Sequence, residues 1–502
     1  MEYFINCNTS TLAPYTVPLD QQRAAHLYRR LGFSASVDTI NLAVGQTADT
    51  LVDNLINEAL NLAPLPAPVW ADWNDNNYPA DEDAARQLRN QQLQDWRIAY
   101  TNALIGGNLR DRLSFFWSNH LVTEVDIYNC NSFLYYYTNT LQRHAIGNFK
   151  TFVSEMGLTS AMLYYLDGAY NNGNNPNENY ARELYELFTL GEGNAYTEQD
   201  IIETARALSG YVNRGEIGCS PVAFDATAFD AGSKTILGQT GNWGYDDVMD
   251  ILFNERPNEI GRFICKKLYE FFVHPDSSDD AGNAETIIQQ LASTFVANNF
   301  EIAPVLSQLF KSQHFFDDEA IGVIIKSPFD FYLNVIKETS FSYDDSVMLN
   351  VIDASRLLSQ NLFDPFDVAG WQRDRSWINT NFIIGRWLSI EILIEGFYQN
   401  NPEQFRTFAV NAVDPADSNT SNPEIVTRAI LNRLLPKGIH DDEFANALSA
   451  FAEAEGVIQE YYSPDYIPGG LSLWMLSISP EVPFQVYLLL QHIARQPEFQ
   501  LK

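Results

Sequence analysis

Three charged residues at helical spacing are the strongest candidates for chemistry in this sequence. Arg182, Glu183 and Glu186 lie in the stretch NPNENYARELYELFTLGEGNAYTEQD, residues 175–200. Glu178, Arg182 and Glu186 are four residues apart, which is the geometry of ion pairs along a solvated helix face. Glu183 instead borders the apolar face, where a carboxylate must be paired, metal-bound or protonated. The sequence leaves open whether Glu183 belongs to a structural ion pair or is a functional carboxylate.

His120 is the second candidate, at the end of the apolar helical pattern LRDRLSFFWSNHLV. It could be a metal ligand, a general base or a cation at a helix C-terminus, and for a single histidine we favour the last. With Glu183 and Glu186 it could complete an acid/base or metal site in which Arg182 clamps an anion. A divalent metal ion held by Glu183, Glu186 and His120 is the candidate cofactor, although their spacing is less diagnostic than HExxH.

Capping signals bracket the helix that carries Glu183. Pro176 is tolerated at a helix start, and Gly191 and Gly193 favour its end because glycine adopts left-handed conformations without strain. Thr197, with Asp200 three residues later, predicts the start of a second helix.

Helical periodicity dominates the remaining sequence. It predicts a mainly α fold, a large multi-helix single domain with a short β-hairpin or loop insertion and a C-terminal helical extension. We expect an extended arm over residues 1–20, a helical domain over 21–400, and a helical extension over 401–502 packed on it. Residues 212–245 are rich in Gly, Thr and Asp and predict the insertion.

Composition limits the class of partner. The chain has 502 residues, with 64 acidic against 31 basic side chains and a net charge of -33. This charge argues against nucleic acid and anionic membrane surfaces as partners. No apolar run approaches membrane-spanning length, and the N-terminus lacks the pattern of a signal peptide. The compartment and the oligomeric state stay open.

The cysteines give no metal-binding pattern. Cys7, Cys130, Cys219 and Cys265 include no CxxC pair, so a structural zinc site is not expected. They could form two disulfides or none.

Two tryptophans mark an unusual loop. Trp371 and Trp377 lie in residues 361–380, together with Pro365 and Gly370. They could line a carbohydrate or peptide cleft, or pin the loop to the core, and we favour the second interpretation.

Several blocks of the sequence resemble one bacterial family. The blocks are HLYRRLGF, FWSNHLV, NPNENYARELYELFTLGEGNAYTEQDIIETARALSGY, DAGSKTILGQTGNWGYDD, KSPFDF and QNLFDPFDVAGWQRDRSWINT. From about His26 to Arg386 the chain is similar to domain-of-unknown-function family 1800 (DUF1800). The resemblance implies no established reaction. It implies that members are often exported, and often encoded beside a phosphatase- or sulfatase-like (DUF1501-type) protein.

The family pattern also marks polar and aromatic positions as binding candidates. These are Asn119, Asn177, Asn179, Glu198, Asp200, Arg206, Lys234, Trp371 and Trp377. Similar sequences typically carry His before the Asp of the DAGSKT block, where this chain has Phe229. A catalytic role for that block is therefore weakened.

Two functions are compatible with these residues. The preferred hypothesis is a cell-envelope-associated binding or assembly protein that works with a phosphatase- or sulfatase-like partner. Its Glu, Arg and His residues would form a buried polar network that sets helix packing. The alternative is a hydrolase acting on a surface polymer. Glu183 and Glu186 would be acid/base groups or metal ligands, His120 the proton carrier and Arg182 the anion clamp.

Overall fold

Helices make up most of the structure, a computed structural model that describes residues 10–107, 109–275, 283–452 and 474–502. The helices are α1 (Gln21–Leu31), α2 (Val37–Ala43), α3 (Ala48–Asn61), α4 (Glu82–Gly106), α5 (Leu109–Ser118), α6 (Val125–Tyr128), α7 (Asn131–His144), α8 (Phe149–Gly157), α9 (Ser160–Tyr165), α10 (Asn179–Glu183), α11 (Glu198–Ala207), α12 (Tyr245–Glu255), α13 (Pro257–Phe272), α14 (Asn283–Ala297), α15 (Ile302–Phe310), α16 (Pro328–Thr339), α17 (Asp345–Leu357), α18 (Thr380–Asn400), α19 (Glu403–Ala412), α20 (Pro423–Leu434), α21 (Asp441–Ala452) and α22 (Val482–Ala494). The predicted mainly α fold is confirmed.

Side-chain caps set many of the helix starts, because the first N–H groups of a helix have no partner inside it. Asp20 accepts from the N–H of Arg23 at the start of α1. Thr197 and Asp200 form a complete capping box at α11, and Ser327 and Asp330 form another at α16. These capping patterns are local, so they can be read from the sequence.

Two antiparallel hairpins form the insertion predicted near residues 212–245. Strand β1 (Asn213–Arg214) pairs with β2 (Val222–Ala223), and β3 (Lys234–Ile236) pairs with β4 (Gln239–Gly241). In the second hairpin Thr235 lies opposite Thr240, and their hydroxyl groups are 2.8 Å apart. The β3–β4 hairpin packs on α11, the helix that follows the Glu183 segment.

The first and last described segments pack against the middle of the chain. The Tyr15 N–H donates to the carbonyl of Lys311, and the Lys502 N–H donates to the carbonyl of Ile324. Helix α20 contacts α1, and α19 contacts α2. Of the predicted N-terminal arm, residues 1–9 lie outside the described residues.

A disulfide joins Cys130 to Cys219, with 5.7 Å between their Cα atoms. The bond ties the start of α7 to the loop between β1 and β2. Cys265 is a buried thiol, and burial raises its pKa. Cys7 lies outside the described residues. The expectation of two disulfides or none is therefore wrong: the described residues contain one, and Cys265 is a free thiol. The spacing of cysteines along the chain does not define their pairing.

The surface of α18 carries a row of apolar side chains. Ile384, Leu388 and Ile392 are 48%, 58% and 70% exposed and are four residues apart, so they share one face of the helix. Among the described helices, none combines the length and the apolar character needed to cross a membrane.

Candidate functional site

The helix predicted to carry the chemistry changes its winding halfway. Its first part is α10, and its second part, Leu184–Thr189, is a π-helix, whereas the sequence predicted one regular helix. The Leu190 N–H donates to the Tyr185 carbonyl at 2.8 Å, and the Thr189 hydroxyl donates to the Leu184 carbonyl at 2.5 Å. Widened turns of this kind are frequent at functional sites.

Arg182 lies on the outer side of this helix, in an ion-pair network. Its guanidinium contacts Glu178 at 3.3 Å, Glu186 at 3.2 Å and Glu198 at 2.8 Å. The Glu198 carboxylate is largely exposed. Exposed ion pairs contribute about 0–1 kcal/mol to stability. The network therefore matches the solvated-face interpretation of the four-residue spacing.

Glu183 is separate from that network and half-buried. Burial raises its pKa, the Glu186 charge raises it further, and Arg182 lowers it. Among the described residues it makes neither a hydrogen bond nor an ion pair. Burial and the hydrogen bond to Glu124 are the main causes of the raised pKa of Tyr165, and the charge of Glu183 contributes to it less. Glu183 therefore faces an acidic region.

The two asparagines before this helix are occupied in shaping its start. The Asn177 side chain accepts from the Asn179 N–H at 2.9 Å, and the Asn179 amide donates to Asp167 at 3.4 Å. The Asn171 side chain accepts from the Asn177 N–H at 3.0 Å. Their contacts are those of a helix start.

Asp200 and Arg206 bind the β3–β4 hairpin to α11. Asp200 caps α11 and also accepts from the Leu237 N–H at 2.7 Å. Arg206 contacts Asp230 and Glu203, each at 2.7 Å. The charged groups of Asp200 and Arg206 therefore have their partners inside the protein.

Lys234 is also satisfied by the protein. Its ammonium is buried and donates to the carbonyls of Asp230 and Gly232. It lies 4.9 Å from the ring centre of Phe229. A cation over an aromatic face is stabilised by the ring quadrupole.

His120 occupies a different place, on the inner side of the π-helical segment. Its ring is buried, and its Nε2 lies 3.0 Å from the carbonyl oxygen of Phe188. Burial lowers the pKa of His120 well below its ordinary value, and the charge of Lys267 adds to the effect. This lowered pKa disfavours a helix-terminal cation, the interpretation that the sequence favoured.

The contact with Phe188 also defines which nitrogen carries the proton. A carbonyl oxygen only accepts hydrogen bonds, so Nε2 must be the donor. In the neutral ring Nδ1 then carries a lone pair and acts as an acceptor or a base. Nδ1 is buried and has no hydrogen-bond partner among the described residues.

Asn119, beside His120, holds the tryptophan loop. Its side-chain oxygen accepts from the Trp371 N–H at 2.5 Å. Gly370 has φ +89°, and a Cβ there would lie 2.3 Å from the same oxygen. Trp371 and Trp377 are both buried, and the indole N–H of Trp371 donates to the Asn361 carbonyl at 2.9 Å. Both indoles therefore lie in the core, and both also line a cavity.

These residues surround a cavity of about 110 Å³, which we call the His120 cavity. Its lining residues are Phe115, Phe116, Asn119, His120, Lys267, Glu270, Phe271, Pro275, Ile324, Ile325, Ser327, Asp330, Gln360, Trp371, Gln372, Arg373, Asp374, Trp377 and Lys502. Aromatic side chains form much of the wall, and a few polar groups interrupt it. Small-molecule sites commonly combine these two features.

Asp330 forms a buried ion-pair network on one side of this cavity. Its carboxylate contacts Arg112 at 2.7 Å and Lys502 at 2.5 Å. Burial alone would raise the pKa of Asp330, but the Arg112 and Lys502 charges outweigh it and hold that pKa below its usual value. In this network one carboxylate serves two cations.

Lys267, in the wall of the same cavity, is a cation without a salt-bridge partner among the described residues. Part of its side chain remains accessible, yet protein surrounds the ammonium, and burial lowers its pKa to about 7, with Arg373 contributing. No described carboxylate lies within 4.0 Å of it. Its closest described aromatic contact is Phe263, whose ring centre is 4.9 Å away. Arg373 is 3.8 Å from Glu270.

The site residues that the sequence predicted therefore lie in two separate places in the structure. His120, Asn119, Trp371 and Trp377 meet at one cavity. Arg182, Glu183 and Glu186 do not line it. The candidate metal site of Glu183, Glu186 and His120 is not assembled, and the described residues contain no group of three or more His, Cys, Asp or Glu side chains able to hold a metal ion.

The sequence analysis missed the charged residues that line the cavity. Lys267 had a detectable signal, since it lies four residues from both Phe263 and Phe271 on α13 and so shares their face. Arg373 and Asp330 had no such signal, because they come from distant segments that only folding brings together.

The comparisons agree with the resemblance and extend it. The family model described as "Protein of unknown function (DUF1800)" matches residues 26–501. The match continues through α19 to α22, past the Arg386 limit of the resemblance. Neither the curated proteins nor the solved structures yielded a significant match. With nearly its whole length matched, the chain belongs to the DUF1800 family.

Proposed function

We propose that this protein binds a small organic molecule in the His120 cavity. The observation that carries the proposal is the Nδ1 atom of His120, a buried acceptor without a partner, in the wall of an aromatic cavity. A buried polar atom without a partner costs about 1–3 kcal/mol. A ligand that donates to Nδ1 recovers that cost.

The size and lining of the cavity support a small ligand. An apolar cavity of about 150 Å³ in a protein interior is enough for benzene. At about 110 Å³ the His120 cavity would hold a group of that order, between Phe116, Phe271 and Trp371. The ring of Phe116 is parallel to that of His120, with an angle of 3° between their planes. The walls are already packed, which lowers the entropic cost of binding.

His26 gives a matched control inside the same molecule. It is also buried, its Nε2 is 3.0 Å from the Phe315 carbonyl, and its Nδ1 also has no described partner. It packs against Phe315 and Phe316 and is not among the residues that line the His120 cavity. The two histidines thus differ mainly in access to a cavity.

The test compares phenol with toluene, which have similar shapes but differ in one hydroxyl donor. We expect ligand-observed NMR to show phenol binding more tightly, by roughly 3- to 10-fold, the worth of one hydrogen bond. His120→Phe should remove the preference and His26→Phe should keep it. Equal affinities in the wild type, or a preference that survives His120→Phe, would overturn the proposal.

We also propose that binding serves an assembly role at the cell envelope, with a phosphatase- or sulfatase-like partner. The support is the family resemblance and the exposed apolar row on α18. Coexpression with a candidate phosphatase-like partner should give a complex that Leu388→Glu disrupts. Leu42→Glu is the control, since Leu42 is 75% exposed on α2, away from that row. Absence of a complex between the wild-type proteins counts against this role.

A hydrolase is the second candidate, and one observation favours it. The Glu183 carboxylate is half-buried, has a raised pKa and has no described partner, as a general acid would. Turnover of a surface polymer would be measured for Glu183→Gln and for the control Glu178→Gln. Loss of turnover in Glu183→Gln alone supports the enzyme. Equal behaviour of both variants excludes Glu183 from catalysis.

A further inference from the structure

The balance of charge around the His120 cavity goes beyond the proposal of a small ligand. Three carboxylates line the cavity, and each contacts a cation. Asp330 contacts Arg112 and Lys502. Glu270 contacts Lys266 at 3.7 Å, and Asp374 contacts Arg375 at 4.0 Å. Lys267, by contrast, has no carboxylate within 4.0 Å among the described residues. In a chain with a net charge of -33, this cavity holds a cation that the fold leaves without a counter-charge.

Arg373 adds to the positive character of the opening. Its side chain is 48% exposed, and its guanidinium lies 3.8 Å from Glu270. Burial lowers its pKa, which Glu270 offsets in part. Arg373 also lowers the pKa of Lys267, so the two cations are close enough to repel each other. An anion between them would relieve this repulsion.

His120 adds a different requirement. Its Nδ1 is an acceptor, so an anionic oxygen placed directly against it would be repelled. A hydroxyl group beside the anion would instead donate to Nδ1. The ligand must therefore present two chemically distinct groups to the same cavity.

We infer that the ligand of the His120 cavity is a small hydroxylated anion, with its carboxylate or phosphate at Lys267 and Arg373 and its hydroxyl at His120. This rests on the proposed binding function and specifies the class of ligand. The bound anion would be the missing counter-charge of Lys267. The aromatic wall would cover the carbon atoms of the ligand.

The experiment uses probes that carry the groups singly and together. L-lactate has the carboxylate and the hydroxyl, propionate lacks the hydroxyl, and propane-1,2-diol lacks the anion. Glycerol 1-phosphate and methyl phosphate make the same comparison for phosphate. We expect lactate or glycerol 1-phosphate to bind at least about tenfold more tightly than the analogues that lack one of its two groups. The tighter of the two ligands shows whether the site prefers a carboxylate or a phosphate.

Variants assign each group to its side chain. Lys267→Met should weaken the binding of the preferred anion by about tenfold and leave propane-1,2-diol unchanged. Lys266→Met, the neighbouring residue whose ammonium pairs with Glu270, should leave the anion affinity unchanged. His120→Phe should remove the advantage of lactate over propionate, whereas His26→Phe should not.

Three results would overturn the inference. They are anions that bind no better than propane-1,2-diol, hydroxyl-free analogues that bind equally well, and full anion affinity in Lys267→Met. Failure here is distinguishable from failure of the binding function, because phenol would still bind at His120 if only the anion assignment is wrong.

Discussion

His120 donates a hydrogen bond from Nε2 to the main-chain oxygen of Phe188, and this contact fixes the chemical state of the ring. Burial lowers the pKa of His120 well below its ordinary value, and Lys267 acts in the same direction. We therefore expect the ring to stay neutral, protonated at Nε2, between about pH 5 and pH 8. Long-range ¹⁵N–¹H spectra of histidine-labelled protein would show this. A resonance of His120 that titrates within that range would contradict it.

Lys267→Met should stabilise the protein free of ligand. The folded-state pKa of Lys267 is lowered to about 7 by burial and by Arg373, with Lys266 adding and Glu270 opposing. The unfolded chain binds the proton up to about pH 10.4. Keeping the lysine therefore destabilises the fold fully below about pH 7, and the effect disappears as the pH rises to about 10.4.

The measurement is thermal unfolding of Lys267→Met and of Lys266→Met at two pH values. We expect a gain in Tm on the order of a few degrees for Lys267→Met at pH 7, and a smaller gain near pH 10. Lys266→Met should change little, since its ammonium is partly exposed. A loss of stability at pH 7 in Lys267→Met would show that the ammonium is stabilised in the fold.

Asp330→Asn should be strongly destabilising. It would leave Arg112 and Lys502 buried without their counter-charge. Breaking a buried ion pair from one side costs about 3–5 kcal/mol. The matched control is Asp250→Asn, because Asp250 contacts Lys150 at 2.6 Å but is 66% exposed. That change should cost no more than about 1 kcal/mol.

Urea unfolding would measure both free energies. The folded-state pKa of Asp330 is below its usual value, so its contribution is present above about pH 4 and is lost as the pH falls through the folded-state pKa. The difference between wild type and Asp330→Asn should therefore shrink in acid. Equal costs for the two aspartates would refute a special role for the buried network.

Asp364→Asn should stabilise the protein near neutral pH. Burial raises the pKa of Asp364 to about 6, with Asp126 and Glu124 adding and Arg97 opposing. A carboxyl group with a raised pKa favours folding below its unfolded pKa of about 3.9, and the contribution is lost as the pH rises through about 6. The variant should thus gain most at pH 7 and little at pH 4, in thermal unfolding at both values. A gain independent of pH would rule out this titration as the cause.

Local patterns in the sequence account for the helices but not for the cavity. Thr197 caps α11, and Asp200 three residues later completes the capping box. The sequence left open whether Trp371 and Trp377 line a cleft or pin their loop to the core. The π-helical turn at Phe188 has no comparable signature, because its hydrogen bonds depend on packing. The pairing of Asp330 with Arg112 joins residues far apart in sequence, so no spacing rule reveals it.

The disulfide between Cys130 and Cys219 has a further consequence for the integrity of the molecule. It closes a covalent ring with a sequence separation of 89 residues, and this ring includes α10 and the π-helical segment beside His120. A protease that cleaves one bond inside the ring would leave both fragments in a single molecule. Such a nicked protein would run as two bands on a denaturing gel only after reduction. Until then the disulfide would keep the segments that carry His120 and Phe188 in one molecule.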